Sequence, residues 1–138
     1  MIRYGSCFAW VLLLLLTLGA LGCGSNRQLQ GVTVTPAVAD AKNFPNGQVP
    51  LTATGTFNKP PSPVKLTSSD IAWCVGTSTG MCNGNIAGGA TVDQNGLAQC
   101  RLNFTGTVTI LAGKGSPPMN PDGGSQLKVF GATQLTCP

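Results

Sequence analysis

The sequence predicts an all-β fold, and three of its features support this prediction. Apolar and polar residues alternate over several short stretches, as they do in strands with one buried face. Thr, Val, Gly, Pro, Asn and Ser dominate after residue 23. Turn-forming Asn-Gly pairs recur between these stretches, at residues 46–47, 83–84 and 95–96. No stretch has a helical period long enough to predict a helix.

The alternating stretches define about seven strands. Residues 49–57 alternate most clearly, with threonines on one face and apolar side chains on the other, namely Val49, Leu51, Ala53 and Phe57. Ile71, Trp73 and Val75 share one face of the next strand, which leaves Cys74 on the opposite face. The other strands are expected at residues 32–34, 90–92, 97–102, 107–112 and 126–130. Such a series predicts a single immunoglobulin-like β-sandwich.

The order of these segments also resembles a known family. Ala90-Thr91-Val92-Asp93-Gln94-Asn95-Gly96-Leu97-Ala98 stands between the Trp73 strand and Gly106-Thr107-Val108-Thr109-Ile110. With the strands at residues 32–36 and 51–57, this arrangement is similar to a bacterial immunoglobulin-like domain, group 2, over nearly all of residues 31–131. The cysteines and the Gly/Asn-rich insert at residues 76–89 depart from the family pattern. The resemblance implies a sandwich of the kind found in adhesion and stalk modules, a fold that does not by itself decide function.

The first 23 residues read as a lipoprotein export signal. Arg3 precedes an apolar run at residues 8–18, and Ala20-Leu21-Gly22 leads directly to Cys23, which resembles a bacterial lipobox. The run is too short for a membrane span. We therefore expect a signal peptide at residues 1–22, a lipidated Cys23, a short tether at residues 23–30 and one domain at residues 31–138. A plain signal peptide with an incidental cysteine is the alternative.

The sequence also predicts where the protein resides. No aspartate follows Cys23, because Gly24 and Ser25 come next, and by resemblance to lipoprotein sorting signals this favours the outer membrane. A tether of about eight residues spans at most about 28 Å. The domain is therefore expected to sit close to the membrane, which favours short-range contact.

Composition excludes several classes of function. The chain has a net charge of +4, no histidine, and four acidic residues that are all aspartate. A Ser/His/Asp or Cys/His nucleophile system cannot be built without histidine, so we do not expect an enzyme or a cofactor. The positive charges form no basic run of the kind that nucleic-acid-binding proteins show, so we expect no nucleic-acid partner.

Four cysteines remain after Cys7 leaves with the signal and Cys23 takes the lipid: Cys74, Cys82, Cys100 and Cys137. An even number in an exported domain predicts two disulfides. Local closure favours Cys74 with Cys82, and Cys100 with Cys137; Cys74 with Cys100 and Cys82 with Cys137 is the fallback. A zinc site is less favoured, because there is no C-x-x-C pair and no histidine.

A few residues invite a functional interpretation. Trp73 alternates with apolar neighbours and is expected in the structural core. Asp93-Gln94-Asn95-Gly96 fits a hairpin turn better than a calcium loop, which needs a bidentate glutamate. Asn103-Phe104-Thr105 fits a glycosylation acceptor but is expected to be plain strand sequence. The insert at residues 76–89 and the loop at residues 113–124 are the surfaces on which a binding site is expected.

These observations predict a non-enzymatic envelope lipoprotein that acts through protein contact, adhesion or envelope structure. Its expected partners are the membrane, through the lipid, and a protein that the sequence does not identify. The alternative is a module that binds glycan or cell wall. Glycan is less favoured, because few aromatic side chains remain in the mature chain.

Overall fold

The computed structural model of this chain describes residues 26–83, 89–115 and 125–138. Ten strands lie in these residues, with two short 3-10 turns between the second and third strands, at Ala41–Asn43 and Pro45–Gly47. The strands are β1 Leu29–Thr35, β2 Val38–Asp40, β3 Gln48–Pro50, β4 Thr52–Phe57, β5 Val64–Lys65, β6 Ala72–Gly76, β7 Ala90–Val92, β8 Leu97–Cys100, β9 Gly106–Gly115 and β10 Leu127–Cys137.

The strands form a sandwich, which confirms the predicted fold class. One layer has the order β2-β10-β9-β6, and the facing layer consists of β3-β8-β7 and β1-β4-β5. Pairing is antiparallel except between β2 and β10, which run parallel. This order is that of an immunoglobulin-like sandwich. The first two strands lie in different layers, because β1 pairs with β4 and β2 pairs with β10.

One predicted strand is broken, and its two halves pair with different neighbours. In the stretch from residue 48 to residue 57, β3 pairs with β8 whereas β4 pairs with β1. Pro50 has no amide to donate to a ladder, and the Leu51 amide donates to the carbonyl of Gly96 at 2.9 Å. Both halves still bury the predicted face, since Val49, Leu51 and Ala53 are all buried.

Other boundaries also differ from the prediction. The strands β2 and β5 are not predicted. In β2 the larger apolar residue, Val38, is exposed and the small Ala39 is the buried one, and β5 has two residues, too few to show alternation. The last strand extends to Cys137 instead of ending at Phe130. Its inward positions include Gly131 and Thr133, which are buried without being strongly apolar. The sequence therefore does not show the apolar–polar alternation of a strand over this stretch.

The main core lies between the two layers. Its most completely buried side chains come from both layers and include Val49, Ala98, Ile110 and Leu135. A second, smaller cluster lies on the outer face of β6, β9 and β10, and consists of Cys74, Cys82, Leu111 and Leu127 with Phe130 packed against it. Cys74 thus lies on the opposite face from Ile71 and Val75, as the alternation predicts.

The sandwich has two ends that carry different surfaces. The pairing of β9 with β10 runs from Gly106 opposite Cys137 to Gly115 opposite Leu127, a length of about 30 Å at about 3.4 Å per residue. We call the end that holds residues 26–29, 57–61, 114–115 and 127–128 the N-terminal end. The end that holds residues 40–47, 100–106 and 137–138 is called the far end.

Candidate interaction surfaces at the two ends of the sandwich

Both disulfides are present, with the pairing that local closure favours. Cys74 is bonded to Cys82 and Cys100 to Cys137, with Cα atoms 5.6 and 5.7 Å apart. The first bond fastens the hairpin at residues 77–82 over the second cluster. The second joins β8 to the last residue of β10, so it ties the two layers together at the far end.

Trp73 packs against the main core but is half-buried instead of enclosed. Its indole ring closely approaches Gly96, where an added Cβ would lie 2.8 Å from the ring and 2.7 Å from the Leu51 carbonyl oxygen. Gly96 also has a φ of +82°, which favours glycine. The ring forms one wall of a shallow cleft of about 300 Å³, together with polar side chains that include Lys65, Thr67, Gln94 and Asn95.

The Asp93–Gly96 segment is a hairpin turn between β7 and β8. The Asp93 carboxylate oxygen Oδ1 accepts hydrogen bonds from the amides of Asn95 at 2.9 Å and Leu97 at 2.7 Å. The carboxylate therefore caps its own turn. Across residues 26–83, 89–115 and 125–138, no three potential His, Cys, Asp or Glu ligands come together in a group that would hold a metal ion.

Much of the two loops nominated from the sequence lies outside the described residues, at residues 84–88 and 116–124. Cys23 and the segment before it also lie outside them. The described part of the first loop forms a hairpin, and two hydrogen bonds join this hairpin to the start of β10. The Cys82 amide donates to the Ser125 carbonyl at 2.8 Å, and the Leu127 amide donates to the Gly80 carbonyl at 2.9 Å. This part covers the second apolar cluster.

A cavity of about 420 Å³ opens at the far end, between the 3-10 turns and the turn that joins β8 to β9. Leu102 lines it and is 95% exposed, the most exposed large apolar side chain in the described residues. Phe44 and Phe104 are half-buried beside it, and Lys42 and Arg101 add positive charge.

The sequence prediction for this segment is wrong. The sequence predicts a strand at residues 97–102 and strand sequence at residues 103–105, whereas β8 ends at Cys100 and a turn follows. Asn103 has a φ of +65°, a left-handed conformation that strands do not adopt. The Phe104 amide closes the turn on the Arg101 carbonyl at 3.2 Å. Leu102 is therefore displayed at the tip of a turn.

The far-end turn rests on a fixed support. The Cys100–Cys137 disulfide holds its base, and the Arg101 amide donates to the Gly89 carbonyl at 2.9 Å. On the opposite wall of the far-end cavity, the Asp40 carboxylate accepts a hydrogen bond from the Lys42 amide at 3.1 Å. The same carboxylate forms an ion pair with the Lys42 ammonium at 3.0 Å. The hydrogen bond from the Lys42 side chain is the main cause of a lowered pKa for Asp40.

The N-terminal end has a second cavity of about 420 Å³, and cations surround it. Arg27, Lys114 and Lys128 line this cavity with Leu29 and Val129. Asp70 is the acidic neighbour. Two hydrogen bonds from Thr67, one from its amide and one from its hydroxyl, are the main causes of a lowered pKa for Asp70, and attraction by Lys114 and Arg27 adds to them.

The fold begins earlier than the predicted boundary at residue 31. The Arg27 guanidinium lies 3.6 Å from the centroid of the Phe57 ring and donates to the carbonyls of Lys59 and Pro61. The Gln28 amide donates to Asn58 Oδ1 at 2.8 Å, and the Asn58 amide donates back to the Gln28 carbonyl at 3.1 Å. The expected tether at residues 23–30 is thus partly bound to the domain.

No protein-family model matches this chain, and no curated protein is significantly similar to it. Within the residues that the structure describes, no helix has the length and apolar character needed to cross a membrane.

Proposed function

We propose that this protein is a non-enzymatic envelope lipoprotein that binds a protein partner through the far end of its sandwich. The proposed lipid anchor at Cys23 precedes the N-terminal end, and Leu102 lies at the opposite end. An anchored domain would thus hold Leu102 away from the bilayer. The near-complete exposure of Leu102 carries this proposal.

An exposed leucine on a fixed support is a favourable contact point. Burying a leucine side chain stabilises a contact by about 1.5–3 kcal/mol, and a rigid turn loses little conformational entropy on binding. Phe44 and Phe104 extend the apolar surface beside Leu102, while Arg101 and the Lys42–Asp40 ion pair add polar and charged groups. This combination of an apolar centre with a polar rim is the usual anatomy of a protein interface.

A photo-crosslinking amino acid at position 102, in protein expressed in its native envelope, tests this proposal. Leu97 is the control, because it is also an exposed leucine but lies on β8 along the side of the sandwich. We expect a discrete adduct from position 102 and none from position 97. Equal adducts from both positions, or none from position 102, would contradict the proposal.

The cleft beside Trp73 favours glycan binding as a second candidate. An aromatic wall next to Lys65, Gln94 and Asn95 offers both stacking and hydrogen bonding to a sugar ring. Soluble cell-wall fragments should then shift the fluorescence of Trp73 in mature protein, since the other tryptophan is Trp10. Asn95→Ala should weaken that response and Leu102→Ser should leave it unchanged. An unchanged spectrum at millimolar fragment would exclude this candidate.

A further inference from the structure

Positive charge is concentrated at the N-terminal end by residues far apart in the sequence. Lys114 is near the end of β9 and Lys128 near the start of β10, and both line one cavity with Arg27. The Arg27 guanidinium is held there by the Phe57 ring and two backbone carbonyls, one of which is that of Lys59. The fold thus assembles a cationic surface that no run of the sequence displays.

Among the residues that the structure describes, acidic side chains neutralise little of this charge; Asp122 lies outside those residues. Asp70 is the carboxylate that Arg27 and Lys114 attract. Asp40 is paired with Lys42 at the far end, and Asp93 caps the β7–β8 turn. Across the described ranges, no carboxylate oxygen lies within 4.0 Å of a side-chain nitrogen of Arg27, Lys114 or Lys128, so none of these three forms an ion pair. Counting residues 26–83, 89–115 and 125–138 alone, an excess of positive charge therefore faces solvent at this end.

The chain length before the domain places this surface near the bilayer. Because Arg27 and Gln28 are bound to the loop at residues 57–61, only residues 23–26 separate the proposed lipid site from the fold. Four residues reach at most about 14 Å. This reach is the upper limit for a fully extended tether. At a shorter separation the surface comes within the Debye length of about 8 Å at physiological ionic strength, where charges on lipid headgroups are only partly screened.

We propose that Arg27, Lys114 and Lys128 form a surface that binds the phosphate groups of anionic lipids. The inference rests on the proposed anchor, which brings the surface to the membrane. The cavity among the three cations offers a concave site for a headgroup phosphate. Binding there orients the sandwich with its N-terminal end on the bilayer and Leu102 facing outward.

Vesicle binding by the mature chain with Cys23→Ser tests the surface apart from the anchor. Vesicles of pure phosphatidylcholine are compared with vesicles that contain 30% phosphatidylglycerol, and bound protein is measured by co-sedimentation. Each cation near an anionic bilayer contributes about fivefold in binding. Lys114→Gln with Lys128→Gln should therefore reduce binding to anionic vesicles about 25-fold. Lys42→Gln with Arg101→Gln removes the same charge at the far end and serves as the control.

The expected pattern is binding to anionic vesicles only, loss in high salt, and loss in the N-terminal pair of variants but not in the far-end pair. Equal binding to both kinds of vesicle, or an equal loss of vesicle binding in both double variants, would contradict the proposal that this surface binds anionic lipid. Fractionation of wild-type protein and Cys23→Ser from native envelopes tests the anchor by itself. If the wild type is not anchored while the vesicle pattern is as expected, the proposal of a lipid anchor at Cys23 is wrong and the proposal of a lipid-binding surface is supported.

Discussion

The guanidinium of Arg27 lies over the aromatic ring of Phe57, 3.6 Å from the ring centroid. This contact joins the first described residues of the chain to the end of β4, and hydrogen bonds between Gln28 and Asn58 continue it. Residues 27 and 28 are thus a bound edge of the sandwich, which fixes where the proposed tether ends.

Arg27→Gln should loosen this edge. The variant loses a cation–π contact worth about 0.5–1 kcal/mol at an exposed site, together with the bonds to the Lys59 and Pro61 carbonyls. We expect faster hydrogen exchange at the Gln28 and Asn58 amides, and little change in global stability. Lys59→Gln removes a neighbouring charge but keeps these contacts. Unchanged protection of Asn58 in Arg27→Gln would show that the contact does not hold the edge.

The disulfides should contribute unequally to stability. Chain entropy assigns about 4 kcal/mol to the loop closed by Cys100–Cys137 and about 2.5 kcal/mol to the short loop closed by Cys74–Cys82. Replacing each pair by alanines should therefore cost more for the long loop, as measured by urea unfolding of the two double variants. A larger loss from Cys74→Ala with Cys82→Ala would mean that packing of the second cluster outweighs loop closure.

Trp73→Ala should destabilise the domain without unfolding it completely. Truncation of a fully buried tryptophan to alanine costs about 3–5 kcal/mol. Part of the Trp73 ring faces the cleft, so we expect a smaller loss of about 2–3 kcal/mol. Denaturant midpoints of Trp73→Ala and Trp73→Phe give the comparison. A loss below about 1 kcal/mol would mean that the ring is not part of the core.

Gly131→Ala should separate β10 from β1. An added Cβ at Gly131 would lie 2.5 Å from the Val32 carbonyl oxygen, so backbone would have to move, at a cost of about 1–3 kcal/mol. Ala132→Ser, at the next and outward-facing position of the same strand, should leave the denaturant midpoint unchanged. If both variants unfold at the wild-type midpoint, β1 and β10 can move apart at no cost in stability, which would contradict this prediction.

The fold followed from local patterns wherever these were strong. Alternation placed Val49, Leu51 and Ala53 in the core and Cys74 on the opposite face, and loop length favoured the observed disulfides. Pro50 was a sequence signal for the break at Leu51, because proline cannot donate to a ladder. The new partner could not be predicted, because it depends on a hydrogen bond to Gly96 in another hairpin.

The candidate surfaces were harder to predict than the fold. Arg27, Lys114 and Lys128 meet only after β1, β9 and β10 are assembled, so their spacing along the chain carries no signal. Leu102 was assigned to a strand, although the Asn103 that follows it favours a left-handed turn conformation. That asparagine is the one sequence signal that would have indicated the turn.

The orientation of the domain on the membrane is the central claim. Energy transfer from a fluorescent amino acid to acceptor-labelled lipid measures it in lipidated protein on anionic vesicles, with the probe at position 126 near the N-terminal end or at position 102 at the far end. The account predicts strong transfer from position 126 and weak transfer from position 102, since the ends lie about 30 Å apart. Equal transfer from both positions, or stronger transfer from position 102, would contradict it.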